Sequence, residues 1–151
     1  PLRRFSAGVS RLHHIREELK EAVEESLYAV RFDEGKNGSC TTFDSLGVYQ
    51  AILPYVEENS MKGYCRRYIA PLAEYDSERN GEILGTVITF IQCGGDLDQA
   101  AGRLSQHRNT IRYRLRRAGE LLSLNPFELG DYERLALAVR IHICAQKEKR
   151  R

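Results

Sequence analysis

Asp96-Leu97-Asp98-Gln99-Ala100-Ala101-Gly102-Arg103-Leu104, then Ser105-Gln106, then His107-Arg108-Asn109-Thr110-Ile111-Arg112-Tyr113-Arg114-Leu115-Arg116-Arg117, is the stretch that decides how this chain folds. Its first part opens on an aspartate, a residue type that caps a helix by accepting from free backbone N–H groups. It then holds small residues where a second helix would press close. Ser105-Gln106 makes a short turn, and helical spacing resumes at His107. At about 100° per residue, Ile111, Leu115, Ala118 and Leu122 share one narrow stripe, while Asn109, Tyr113 and Arg116 face the opposite way. The pattern predicts a supporting helix, a tight turn and a second helix, over about 107–119, with one packing side and one free side.

The free side has a distinctive charge. From Arg103 to Arg117 there are six arginines and no acid, although the whole chain carries a net charge of only +2. A solvated surface helix would intersperse acids among its bases, and this one does not. The chemistry suits double-stranded DNA, because an α-helix fits the major groove and residues near its N-terminal end reach base edges. Arginine pairs bidentately with guanine and asparagine with adenine. Arg108 and Asn109, with Arg112 and Tyr113 one turn further on, are therefore the base-edge candidates. Arg103, His107, Thr110, Arg116 and Arg117 are the phosphate candidates, which fix register without reading sequence.

Outward from this stretch, the chain reads as helical on both sides. A helix over about Ser77–Cys93 carries Ile83, Leu84, Val87, Ile88 and Ile91 and ends at the CGGD run of 93–96; a last helix is expected from Asp131 to about Gln146, before the basic tail KEKRR. Further upstream, Asp44 or Ser45 is placed to cap a helix to about Glu58, kinked or ended by Pro54, and another helix is expected from Ser60 to Ala70, interrupted by Pro71. Tyr75 and Asp76 mark a junction.

The N-terminal third differs. Residues 3–9 read as a strand and 11–31 as a helix, with Leu12, Ile15, Leu19, Ala22, Val23, Ser26, Leu27 and Val30 as its apolar stripe. DEGKNGS at 33–39 reads as a turn and CTTF at 40–43 as a second strand. Two strands and a helix make a poor sheet alone, so this β-α-β section is expected to be an incomplete domain. The fold class is mostly α: a helical bundle with a helix-turn-helix, preceded by a short partial α/β (β-α-β) segment.

The same residues resemble a known family. AAGRLSQHRNTIRYRLRR (100–117) is similar to the Fis-type helix-turn-helix. Tyr75-Asp76, GGDLDQAAGRL (94–104), HRNTIRYRL (107–115) and LALAVRI (135–141) together resemble the C-terminal domain of the PucR/CdaR bacterial regulators. LGVYQAILPYV (46–56) and RRYIAPLAEYD (66–76) are similar to further segments of that family. SAGVS (6–10) with LKEAVEESLYA (19–29) resembles the latter part of its degenerate GGDEF-like domain. The resemblance implies three sections, a partial GGDEF-like segment over 1–45, a helical connector over 46–75 and the DNA-binding domain over 76–151. It further implies a transcription regulator that senses a small-molecule effector through upstream domains. Two departures stand out. Gln106 sits where the family usually has an aliphatic residue, and neither a GGDEF signature nor a phosphate loop is present, so no cyclase chemistry is implied.

Other functions find little support. Cys40, Cys65, Cys93 and Cys144 form no CxxC pair, and Cys93 and Cys144 fall on apolar helix positions as small buried hydrophobes. His13 and His14 point in different directions and read as surface residues, and His142 reads as a partly buried side chain. Glu17-Glu18, Glu24-Glu25 and Glu57-Glu58 read as solvated outer faces rather than catalytic dyads. Neither an enzyme nor a metal or other cofactor is expected. No apolar run approaches the roughly 20 residues needed to span a bilayer, and no secretion signal opens the chain, so a soluble cytoplasmic protein is expected. Pro1 in place of methionine fits a processed product or an excised piece. A homodimer on paired DNA half-sites is the expected assembly. The rival reading is a dimerisation or protein-interaction module, built on helices 44–58 and 131–146, with DNA contact secondary.

Overall fold

A computed structural model describes residues 5–14, 17–32 and 39–149. By compactness the chain divides into two units, Pro1–Glu57 with Ile143–Arg151, and Glu58–His142.

In the first unit, β1 (Ser6–Val9) and β2 (Ser39–Thr42) pair in parallel, Ser6 opposite Ser39 and Val9 opposite Thr42, joined by α1 (Leu19–Phe32). The expected β-α-β order is present, though most of the 33–39 turn lies outside the described residues. The helix begins at Leu19 rather than at residue 11. Arg11 and His13 instead belong to an extended segment whose side chains turn back onto Glu25 of α1. The Glu25 carboxylate accepts from the Arg11 backbone N–H at 2.9 Å, from Arg11 Nε at 2.9 Å and from Arg11 Nη2, and His13 Nε2 lies 2.8 Å away.

This arrangement corrects several expectations. Glu25 is buried, not a solvated outer-face acid, and the His13 side chain is only 9% exposed, not a surface residue. The stripe expected to pack is instead open: Leu12, Leu19, Val23, Leu27 and Val30 are exposed, Ile15 lies outside the described residues, and Ala29 with Glu25 forms the buried face. One reason is visible at Gly8 in β1. A Cβ there would fall 2.0 Å from the Ser26 carbonyl oxygen, so the strand lies directly on the helix backbone.

The cluster has a pH signature. Hydrogen bonding to Glu25 raises His13 above the usual histidine value despite burial. Its contribution to stability is complete below about 6.5, the unfolded value, and is lost as pH rises through the folded one. Glu25 resists burial through its bonds to Arg11 and His13 and is lowered from 4.5 to about 2. Its contribution is present above 4.5 and is lost as pH falls towards 2. The stability difference between the wild-type chain and His13→Gln, followed by urea unfolding from pH 5 to pH 9, is expected to shrink with rising pH. A constant difference would remove His13 from the account.

The expected helix over 44–58 is broken into a 3-10 turn (Phe43–Leu46), α2 (Tyr49–Ile52) and a second 3-10 turn (Leu53–Tyr55). Thr42, not Asp44 or Ser45, provides the cap, its hydroxyl accepting from Ser45 N. Gly47 stops the first turn at φ 58°, and Pro54 opens the last one. Phe43, Leu46, Ile52, Leu53, Val56 and Cys144 fill this unit's core. Burial pushes the Cys144 thiol up to about 12, which leaves it a buried hydrophobe as read.

The second unit holds α3 (Asn59–Arg79), α4 (Ile83–Gln92), α5 (Leu97–Leu104), α6 (Arg108–Leu122) and most of α7 (Leu129–Glu148). Pro71 does not interrupt: α3 runs through it, and Tyr75-Asp76 lies inside the helix rather than at a junction. A proline in a helix interior costs about 3 kcal/mol. Burial of Tyr68, Ile69 and Leu72 around Pro71, at about 1.5–3 kcal/mol for each large apolar side chain, offsets it.

The helix expected from Ser77 starts instead at Ile83, after α3 ends on left-handed Asn80. Asp76 reaches across this corner, its carboxylate accepting from Ile83 N and Leu84 N, each at 2.9 Å. Gly81 makes room, since a Cβ there would lie 2.6 Å from Asp76 Oδ1. Asp76→Ala is expected to destabilise this unit by about 0.5–2 kcal/mol, the usual value of a helix cap, read as a lower urea midpoint with unchanged slope. Phe90 then meets Phe127 and Tyr132 edge-on at 6.1 and 5.9 Å, tying α4 to the start of α7.

Candidate nucleic-acid interface

Gly94 and Gly95, at φ 66° and 85°, turn the chain out of α4, and a side chain at Gly95 would press on the Tyr132 ring. Asp96 then caps α5 as the sequence implies: Oδ1 accepts from Asp98 N at 2.8 Å and Gln99 N at 3.0 Å, and Oδ2 from Gln99 Nε2 at 3.0 Å. The bonds from Gln99 and then from Asp98 hold this carboxyl below the usual range. Ala100 and Ala101 are buried, the close approach their size permits.

The turn is closed by backbone rather than by an aliphatic side chain. Ser105 is left-handed at φ 51°, its N–H donates to Gly102 O at 3.2 Å, and Gln106 N donates to Ala101 O at 3.0 Å. The Gln106 side chain is therefore spared a packing role and is exposed. His107 caps α6, with Nδ1 accepting from Asn109 N at 3.2 Å.

Within α6 the two faces separate as the spacing implies. Ile111, Leu115 and Ala118 are fully buried, and Leu122 is half-buried. Asn109, Arg112, Tyr113 and Arg116 are exposed, Tyr113 at 69%. Arg108 and Arg103 are exposed too, and Thr110 lies at the margin.

The six arginines of the run are not equivalent. Arg114 turns inward, pairing with Glu82 Oε2 at 2.7 Å and approaching Thr86 Oγ1 at 3.4 Å, so it fastens α6 to the start of α4. Arg117 pairs with Glu120 at 2.7 Å and stacks 5.3 Å over the Tyr75 ring of α3; the Glu120 bond is the main cause of its raised pKa. Arg108 lies 3.2 Å from Asp98 on α5. Arg103, Arg112 and Arg116 have no ion-pair partner among the described residues and remain open to a ligand. Sequence reasoning missed the inward turn of Arg114 and the capping role of Asp76. The seven-residue offset from Asp76 to Ile83, across a glycine, was the only local sign of the second.

Two short helices joined by a left-handed serine, the second with a buried aliphatic stripe and an exposed basic face, have the geometry of a helix-turn-helix. Residues 83–141 match the PucR C-terminal helix-turn-helix domain family. This segment is similar to PucR-type helix-turn-helix domains. A relative of this chain is the DNA-binding transcriptional activator AdeR of Bacillus subtilis (strain 168), 26% identical over 84 residues, 56% of this chain and 20% of that protein. The chain thus spans about a fifth of that relative's length. A solved structure, the regulator of polyketide synthase expression from Bifidobacterium adolescentis, is 22% identical, covering 86% of this chain and 51% of that one, with a TM-score of 0.46. The matched segment takes in α4, α5, α6 and the part of α7 up to Ile141, which includes every candidate contact residue.

Among the described residues, no group of three or more His, Cys, Asp or Glu side chains is arranged to hold a metal ion. No described helix is long and apolar enough to cross a membrane.

Proposed function

We propose that the PucR-type domain binds double-stranded DNA in a sequence-specific manner as part of a transcription regulator, with the N-terminal half of α6 in the major groove. The observation that carries this reading is the division of α6 into a buried Ile111–Leu115–Ala118 stripe and an exposed face of Asn109, Arg112, Tyr113 and Arg116. Arg108, Asn109, Arg112 and Tyr113 are assigned to base edges, and Arg103, His107, Thr110, Arg116 and Arg117 to phosphates. For Arg117 this requires the guanidinium to share its charge between Glu120 and DNA. The assembly is a homodimer on two half-sites about one helical turn apart, and the effector is bound by other regions of the intact regulator.

The test is a titration of fluorescent random-sequence duplexes at two salt concentrations, comparing the wild-type chain with an Arg108→Ala, Arg112→Ala double variant. Binding is expected to weaken steeply with salt, because each neutralised phosphate releases counterions, and to weaken further in the variant. Absence of binding by the wild-type chain at low salt would overturn the assignment. That outcome would favour the interaction-module reading built on residues 44–58 and 131–146, with DNA contact secondary.

A further inference from the structure

The face that carries the arginines also carries three carboxylates, and two of them have an evident local task. Asp96 caps α5 through three N–H donors, and Glu120 pairs with Arg117. The third, Asp98, is different. It stands one residue inside α5, its side chain 67% exposed, and Oδ2 lies 3.2 Å from Nη1 of Arg108, across the turn at the start of α6. Such an exposed pair adds little to stability. A carboxylate on a surface meant for phosphates also lowers affinity, since repulsion acts over roughly 8 Å at physiological salt.

What the pair does well is constrain. The guanidinium is a planar fork of five donors, and one carboxylate oxygen on Nη1 leaves the other donors free for the two acceptors, O6 and N7, of a guanine edge. The same negative charge discourages Arg108 from swinging to a phosphate, where it would bind any sequence. Discrimination gained by penalising the wrong partner is a general route to specificity.

We propose that Asp98 is a specificity-determining residue, which positions Arg108 for a base edge and withholds it from the DNA backbone. This rests on the reading of α6 as the DNA-reading helix with Arg108 at a base. The simpler role of a first-turn acid is to favour the α5 dipole, and that role makes no demand on Arg108.

The experiment uses the full chain. A duplex is selected from a random library by the wild-type protein, and binding is then measured to it and to every single-base variant. The proteins compared are wild type, Asp98→Asn, Arg108→Ala and the double variant, with thermal unfolding as a check on folding. Arg108→Ala is expected to relax one base position by about tenfold. Asp98→Asn is expected to relax that same position by a comparable factor while binding random duplex about 2- to 5-fold more tightly, and the double variant is expected to relax it no further. If Asp98→Asn tightens all sequences equally and leaves discrimination intact, Asp98 serves only α5 and the proposal falls, while the DNA reading stands. If Arg108→Ala relaxes no position, or no sequence is enriched, the assignment of Arg108 to a base falls and takes the proposal with it.

Discussion

Leu115→Ala is expected to lower the unfolding free energy of the Glu58–His142 unit by about 2–5 kcal/mol, the range for emptying a buried leucine site. Leu115 is fully buried in mid-α6 together with Ile111 and Ala118, so little can collapse into the space without moving the helix. Domains of this size are stable by only about 5–15 kcal/mol, so the change is a large share of the total. Tyr113→Ala, two residues earlier on the exposed face, provides the contrast. It is expected to shift stability by no more than about 0.5 kcal/mol while weakening DNA binding. Urea unfolding and duplex titration on both variants separate the roles. Equal destabilisation by the two would mean that α6 does not have one packing face and one reading face.

The second large effect lies in the N-terminal unit. Glu25→Ala removes the buried acceptor shared by Arg11 and His13, leaving Arg11 with Glu21 at 3.9 Å and His13 with Glu18 at 3.3 Å. Removing one partner of a buried ion pair typically costs about 3–5 kcal/mol, and the half-exposed Arg11 side chain places this case at or below the lower end. Glu25→Gln keeps the shape and an acceptor oxygen, and is expected to lose less. The readout is urea unfolding at pH 7 followed by tyrosine fluorescence, since Tyr28 lies one turn along the same helix. An unaltered midpoint in Glu25→Ala would show that the 10–14 segment does not depend on this carboxylate.

The contrast between α6 and α1 shows what was legible in the residues. Around α5 and α6 every local signal agrees: a capping aspartate, small residues at the close approach, a 3.6-residue stripe, no proline and a glycine pair upstream. The structure repeats that reading almost residue for residue. In α1 the apolar spacing was equally regular, but the partners of a stripe are not written in the stripe. Gly8 and Glu25 fix which face is covered, and Glu25 is inside only because Arg11 and His13, both outside the helix, come back to meet it. Proline misled in one direction and glycine in the other. Pro71 predicts a stop, yet packing on either side carries α3 through, whereas Gly47 carries no such signal and its positive φ breaks the expected 44–58 helix. The candidate contact residues were accessible to the same local reasoning, because a helix face follows from spacing alone. The inward turn of Arg114 was not, since it depends on Glu82 and Thr86 of another helix.

Three helices of the Glu58–His142 unit end on residues other than glycine in the left-handed conformation, Asn80 at φ 49°, Ser105 at φ 51° and Ser123 at φ 54°. Each corner holds its chain reversal with backbone N–H groups returned to the last carbonyls, so the shape of the corner does not depend on its side chain. The corners therefore form an evolutionary reserve. Glycine at any of them would relieve a strained backbone, and descendants of this sequence could draw on that unspent stability to tolerate destabilising changes on the arginine face while keeping its scaffold.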